Sequence, residues 1–151
     1  MAQPDTDPQR TDLKTVMVEM IFPDQSNHYG TLFGGNGLSL MAKAAFVAAT
    51  RRAGGSVVMA RSERVDFTTP VQVGELLELT AEVIRVGRSS MSVMVHGVAE
   101  DLSTALRRDV LSGQFEMVAV DDTGRPRRIG AARTQSAVEE TTIQGQQHET
   151  A

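Results

Sequence analysis

From Leu38 to Ala53 the chain reads "LSLMAKAAFVAATRRA", a stretch with almost no polar face until its last turn. Leu38, Met41, Ala45 and Ala48/Ala49 recur at three- and four-residue steps, the period of a helix. Leu40, Ala44 and Val47 cover much of the remaining circumference. A helix that is apolar nearly all round has to be buried on most of its sides. Arg51 and Arg52 fall in its last turn, where cations suit the helix dipole, and Gly54–Gly55 ends it. The rest of the chain must therefore wrap around this segment.

The remaining segments read as strands. "KTVMVEMIF" (Lys14 to Phe22) is β-branched and apolar, and Pro23 and Asp24 close it. After the helix come "SVVMARSERVDF", "ELLELTAEVIRV", "MSVMVHGVAE" and "RRDVLSGQFEMVAV". They are separated by Pro70 and Gly74, by the tight "GRSS", and by a loop around "DLSTAL". Gly113 is expected to form a bulge in the last run, and "DDTGRPR" a turn after it. Consecutive long strands with tight connections favour an antiparallel sheet. One helix cannot cover a large flat sheet, so the sheet is expected to curl around it and a second subunit to extend it. That α+β architecture is the hotdog fold.

Length and composition agree with a single domain, expected over residues 13–130. Residues 1–12 and 131–151 are polar and aperiodic and are expected to be a mobile N-terminal segment and a disordered tail. Each end carries a charge of −2, which accounts for the whole net charge of −4 and leaves a neutral core. A neutral core with no Trp argues against a nucleic-acid partner, which needs a basic face. The absence of Cys excludes disulfides, thiolate metal sites and a Cys nucleophile, and no metal site is expected. No apolar run is long enough to span a membrane, and the first dozen residues lack the apolar core of a signal peptide, so the cytoplasm is the default location.

The helix is approached through "NHYGTLFGGNG", whose Gly30, Gly34, Gly35 and Gly37 read as a turn that needs close backbone approach. The first N–H groups of a helix are unpaired and carry partial positive charge. Bare glycines there let a phosphate, or a carbonyl oxygen to be polarised, come close. Tight packing of the turn is the competing explanation. The spacing matches neither the phosphate loop GxxxxGK[ST] nor the dinucleotide fingerprint.

"N-H-Y-G-T-L-F-G-G" followed by an apolar helix, then "V-D-F-T-T-P-V-Q-V-G-E" and "G-R-S-S", resembles the hotdog acyl-CoA thioesterases, specifically bacterial acyl-CoA hydrolases with an N-x-x-G-x-x-F-G-G lead-in. The resemblance runs from about Val16 to Arg128. It implies hydrolysis of an acyl-CoA thioester to CoA and a carboxylic acid. Asn27 would place the water or thioester, and the N–H of Gly34 or Gly35 would polarise the thioester carbonyl. A helix carboxylate seven residues after Gly35 would act as base or nucleophile. That count lands on Ala42. Alanine supplies neither function, and no Asp or Glu lies between Asp24 and Glu63. The resemblance therefore implies a thioesterase impaired at position 42, by natural variation or by a deliberate exchange. The alternative is a non-catalytic acyl-CoA-binding hotdog protein. Candidate stand-ins are His28, Thr31, and Glu63 or Asp66 from a neighbouring subunit.

The resemblance also puts coenzyme A contacts at Arg88, Ser89 and Ser90; the arginines of "GRPRR", Arg125, Arg127 and Arg128, either reach a phosphate too or form a solvated turn. It implies no separate cofactor, since CoA is part of the substrate, and self-association as a dimer, which in the family often stacks into a tetramer or hexamer. A dehydratase on the same fold would need a His–carboxylate pair, and neither His28 nor His96 has an evident carboxylate partner in the sequence.

Overall fold

A computed structural model describes residues 14–131. The expectations of mobile ends at 1–12 and 131–151 fall, apart from Ala131, outside the described residues. Five strands and one long helix follow the expected order: β1 (Lys14–Met20), α1 (Gly34–Ala53), β2 (Val57–Phe67), β3 (Leu76–Val86), β4 (Ser90–Glu100) and β5 (Arg107–Ala119). A single 3-10 turn, Pro23–Gln25, lies between β1 and α1. The strands form one antiparallel sheet in the order β1-β3-β4-β5-β2. With the helix lying on one face of that sheet, this is the α+β hotdog arrangement.

Alternation along the strands decides which residues meet the helix. Leu77, Leu79, Ala81 and Val83 on β3, Met91, Val93 and Val95 on β4, and Phe115, Met117 and Ala119 on β5 are all buried. They pack with Leu40, Met41, Ala44, Ala45, Ala48 and Ala49 of α1. Four of those six helix residues are alanine, so the helix axis can lie close to the sheet while Met41 fills the remaining space. Each large side chain fully buried in this way contributes about 1.5–3 kcal/mol of hydrophobic stabilisation. Val57 pairs with Ala119 and Phe67 with Leu111, so β2 lies along residues 111–119 of β5 as an edge strand.

Two local expectations are corrected. The glycines at 34, 35 and 37 do not form a turn ahead of the helix; they are its first turn, since α1 begins at Gly34 rather than Leu38. The turn proper is at Gly30, whose φ of 81° lies in the left-handed region. The irregularity expected at Gly113 is carried instead by its neighbour β2. Register shifts between Glu63 and Asp66, where Arg64 and Val65 together oppose the single Gly113, and Arg64 has a φ of 32°. Gly113 accommodates this bulge. A Cβ there would lie 3.1 Å from Val65 and 3.3 Å from Met41, so the missing side chain lets both reach the sheet.

The helix is also less enclosed than its composition suggests. Leu38 and Phe46 on α1, and Val58, Met59 and Phe67 on β2, are substantially exposed. Apolar side chains exposed this way on neighbouring elements commonly mark an association surface.

Candidate active site

The lead-in to α1 is built by short hydrogen bonds. Asn27 Oδ1 accepts the N–H of Tyr29 at 3.0 Å and of Thr31 at 3.2 Å, and Asn27 Nδ2 lies 2.9 Å from Thr31 Oγ1. The backbone closes the same loop, with Asn27 N donating to Thr31 O at 2.9 Å. Asn27 is thus first of all the residue that folds this loop. A second turn, Pro70–Glu75, clamps the loop from outside: Leu32 N donates to Val71 O at 2.7 Å and Val73 N to Gly30 O at 3.1 Å.

That clamp is itself anchored by charge. Arg108 reaches the two oxygens of Glu75 at 2.6 and 2.7 Å and also donates to Pro70 O at 2.7 Å. Glu75 Oε1 accepts the N–H of Gln72 at 2.7 Å. Glu75 is buried, and the bonded Arg108 guanidinium holds its carboxyl below the usual range. An open groove of 530 Å3 beside this pair is lined in part by Gln72, Asp101 and Arg108, but its arginine is already committed to Glu75.

At the end of the loop, Phe33 takes the N-cap position of α1 and makes no side-chain cap. The first intrahelical bond runs from Gly37 N to Phe33 O at 3.0 Å. Among the described residues nothing accepts the N–H groups of Gly34, Gly35 or Asn36, and no acid lies in the first turn. Gly34 and Gly35 are exposed, and a Cβ at Gly34 would meet nothing within 4 Å. Beside Gly34 opens a largely apolar cavity of 260 Å3, walled by Leu32, Phe67, Val71, Val110 and Leu111. Donors without acceptors at a helix N-terminus, next to an apolar cavity, can hold a developing oxyanion whose apolar substituent fills that cavity.

Ala42 sits just over two turns further along α1, half-buried against the core. The two acidic candidates to replace a carboxylate there are engaged elsewhere. Glu63 contacts Arg61 at 2.6 Å and Gln114 at 3.3 Å, and Asp66 contacts Arg64 at 3.0 Å. Both acids pair across to the outer residues of β5, on the sheet face away from the helix. The expectation that His96 lacks a carboxylate partner is wrong: its Nε2 lies 2.9 Å from Asp109 Oδ1. The pair links β4 to β5, also on the outer face, so it does not serve the start of α1. Among the described residues no group of three His, Asp or Glu could hold a metal ion, and no helix is long and apolar enough to cross a membrane.

The proposed coenzyme residues are not brought to this site within one chain. Arg88 O accepts the N–H of Ile129, Ser89 O accepts that of Ala119, and Arg52 of the last helical turn donates to Gly130 O. The Arg88–Ser90 turn therefore lies at the C-terminal end of α1. A 20-residue helix is about 30 Å long, which separates that turn from Gly34. Of the second cluster, Arg127 is committed to the carbonyls of Ala53 and Val120, while Arg125 and Arg128 are exposed.

Comparison with known proteins gives the geometry a family. Residues 29–106 match the Thioesterase superfamily. An uncharacterized acyl-CoA thioester hydrolase of Zymomonas mobilis is 36% identical over 110 residues, covering 71% of this chain and 72% of that protein. An acyl-CoA hydrolase of Staphylococcus aureus, solved with butyryl-CoA, CoA and CoA disulfide, is 29% identical with a TM-score of 0.76, covering 89% of this chain and 82% of that one. In further structures of that enzyme an Asn, an Asp fifteen positions later and a Thr seventeen positions beyond it are each replaced by Ala. An acyl-CoA hydrolase of Agrobacterium tumefaciens is 50% identical with a TM-score of 0.72 over 76% of this chain, which spans only 45% of that protein. Two other matching thioesterase structures are hexameric. With its strand order, its single helix and more than half its length matched, the chain belongs to the thioesterase superfamily.

Proposed function

We propose that this chain binds acyl-CoA thioesters with the thioester carbonyl at the open start of α1, and that its hydrolytic turnover is low because position 42 carries no acid. The observation that carries this reading is the row of unpaired N–H groups at Gly34 and Gly35 beside an apolar cavity. In acyl transfer the carbonyl oxygen gains negative charge, and fixed donors of this kind stabilise it. CoA is part of the substrate, no separate cofactor takes part, and the cytoplasm is the proposed location.

The position of the Arg88–Ser90 turn adds a requirement. A ligand held by Gly34 at its thioester and by Arg88, Ser89 and Ser90 at its nucleotide has to draw on two copies. Antiparallel pairing of two β2 edges about a two-fold axis brings the N-terminal end of one helix toward the C-terminal end of the other. It also covers the exposed Leu38, Phe46 and Met59. The smallest working unit in this reading is a dimer, and the hexameric relatives are consistent with three such pairs.

Counted without a gap from Asn27, the separations seen in the staphylococcal enzyme fall on Ala42 and Met59. Asn is kept here while both the Asp and the Thr are absent. This supports the second reading, a non-catalytic acyl-CoA binder on the same scaffold, and Met59 is a position that sequence patterns did not single out.

The deciding experiment is Ala42→Asp, assayed by thiol release against a panel of acyl-CoAs. Supplying a general base in place is expected to raise turnover by about 10²–10⁴-fold. Binding of acyl-CoA by the native chain with no gain on restoring the acid, alone or with Met59→Thr, would leave the binder reading. No binding of any acyl-CoA would reject both.

A further inference from the structure

We propose that a second copy of this chain pairs with the open edge of β2 in a single register, with Ser62 of both copies on the two-fold axis and Arg61 opposite the partner's Glu63. This rests on the edge pairing proposed above and goes beyond it by fixing which residues meet. β5 occupies one edge of β2 and leaves the other open. An unpaired strand edge is a template for another strand, and two copies related by a two-fold axis present the same residues to each other.

Two features of β2 choose the register. The first is the face that each residue takes. Val57, Met59, Ser62 and Phe67 stand opposite buried, helix-side residues of β5, and Val65 packs against the same core. Arg61, Glu63 and Asp66 stand opposite the outer residues of β5. Register shifts fall at Ala60 and at Arg64–Val65, so the two faces are arranged evenly about Ser62. Residues directly opposite in an antiparallel pair share a face, and a slip of one residue breaks that match. With Ser62 on the axis, helix-side residues meet helix-side residues: Val65 meets the partner's Met59, and Phe67 meets the partner's Val57. Val58 meets the partner's Asp66 on the outer side, and the irregular positions Ala60 and Arg64 meet each other. With the axis at Arg61, Met59 would face the partner's Glu63; with the axis at Glu63, Arg61 would face the partner's Val65. An axis between residues sets Ser62 against one of the two charges. The second feature is charge. Arg61 and Glu63 contact each other at 2.6 Å along the strand, and both side chains reach solvent. An axis at Ser62 turns them into two reciprocal Arg–Glu pairs, whereas an axis at either one sets that charge against its own copy. Val65 fills the space over Gly113 together with Met41. The partner's Met59 is thereby brought beside the helical turn that carries Ala42, so each site gains an apolar residue from the second copy.

The chain contains no Cys, so single cysteines in the full chain report the register directly. Directly opposite residues lie about 4.5–5.5 Å apart at Cα, within the roughly 4.4–6.8 Å that a disulfide spans. Ser62→Cys should therefore oxidise to a covalent dimer, read on a non-reducing gel. Arg61→Cys and Glu63→Cys should not cross-link when oxidised alone, because each lies two residues out of line with its own copy, about 8 Å away. Mixed together, those two variants should cross-link. Arg61 and Ser62 are exposed and the Glu63 side chain is 40% accessible, so these exchanges leave the core intact. Arg61→Glu and Glu63→Arg should each weaken dimerisation about tenfold in sedimentation. Mixing them should restore it through heterodimers, a recovery that an ion pair within one strand does not give. Failure of the mixture to recover would overturn the contact between Arg61 and the partner's Glu63. Cross-linking of Arg61→Cys or Glu63→Cys alone, with none at Ser62→Cys, would overturn the register and leave the edge pairing standing. No cross-link at any of the three in a chain that sediments as a dimer would move the interface off β2, overturning register and edge pairing while the thioester site at the start of α1 stands. A native chain that stays monomeric when saturated with an S-alkyl-CoA thioether would overturn the two-copy reading and this register with it.

Discussion

At its C-terminal end α1 is closed by the protein's own groups. Gly54 takes the left-handed conformation with φ of 68° and donates to Thr50 O at 2.9 Å, Arg127 donates to Ala53 O at 3.2 Å, and Arg51 and Arg52 lie in the last turn against the dipole. At its N-terminal end the same helix has an uncapped Phe33, two exposed glycines and three N–H groups with no acceptor among the described residues. A cap at such a position is worth about 0.5–2 kcal/mol, and the chain forgoes it. The loop that presents this end is nonetheless held firmly, by Asn27 from within and by the Glu75–Arg108 pair from outside. The contrast separates rigidity from satisfaction: the open end is well positioned and unsatisfied, which is what a binding site requires and a merely structural terminus does not.

The largest expected effect comes from releasing the clamp. Arg108→Ala leaves buried Glu75 without its partner and should lower stability by about 3 kcal/mol in urea unfolding near neutral pH. The sign with pH follows from the depressed carboxyl of Glu75. Its contribution is present above the unfolded pKa of about 4.5 and is lost as pH falls through the folded value, so native and variant should converge in acid. A difference that persists or widens below ~pH 3 would show that the pair is not the source.

Undoing the closed end comes next. Arg127→Ala removes donors to two carbonyls and should cost about 2 kcal/mol in urea unfolding. A variant as stable as the native chain would mean that these bonds do not close the end.

Closing the open end should have the opposite pattern. Phe33→Asp offers a capping carboxylate to the unpaired N–H groups, so thermal stability should rise by about 1 kcal/mol while affinity for an acyl-CoA thioether falls about tenfold or more. A variant that gains stability with no loss of binding would move the thioester away from the helix start.

The smallest effect concerns the one untidy group at the closed end. Thr50 Oγ1 is buried with no partner among the described residues. Thr50→Val keeps the shape and removes the unsatisfied hydroxyl, so it should be neutral or stabilising by up to ~1 kcal/mol. Measurable destabilisation would mean that Thr50 does have an acceptor.

Much of the strand order was legible because alternation on a half-buried sheet is written residue by residue, as in "ELLELTAEV" and "MSVMVHGVA". The start of the helix was misread for a physical reason. Glycine is a poor helix former, so Gly34, Gly35 and Gly37 looked like punctuation, yet the first turn makes no intrahelical N–H bonds and tolerates them. The bulge was misplaced because one extra residue on β2 leaves no local mark, while the glycine that makes room for it is visible on the neighbouring strand. The His96–Asp109 pair is thirteen residues apart and exists only through the register of β4 against β5. Asn27, Gly34, Gly35 and Ala42 were singled out together because they share one segment. Their separation from Arg88, Ser89 and Ser90 is a matter of which end of the sheet each hairpin reaches, and spacing along the chain does not encode that.

The stretch from Gln25 to Ser62 holds no acid and carries Lys43, Arg51, Arg52 and Arg61. Arg51 and Arg52 lie at the far end of α1 and Arg61 is paired with Glu63, so at the helix start the positive field comes from the bare N–H groups and reaches the ~8 Å screening length of physiological salt. Under the proposed function, an anionic ligand arriving within that distance is attracted, and its association rate should fall as salt is added. An aspartate at position 42 would weaken that attraction at the point of arrival. Under the function proposed above, alanine at position 42 leaves that field uncompensated, whereas an acid there would exchange part of the attraction for chemistry.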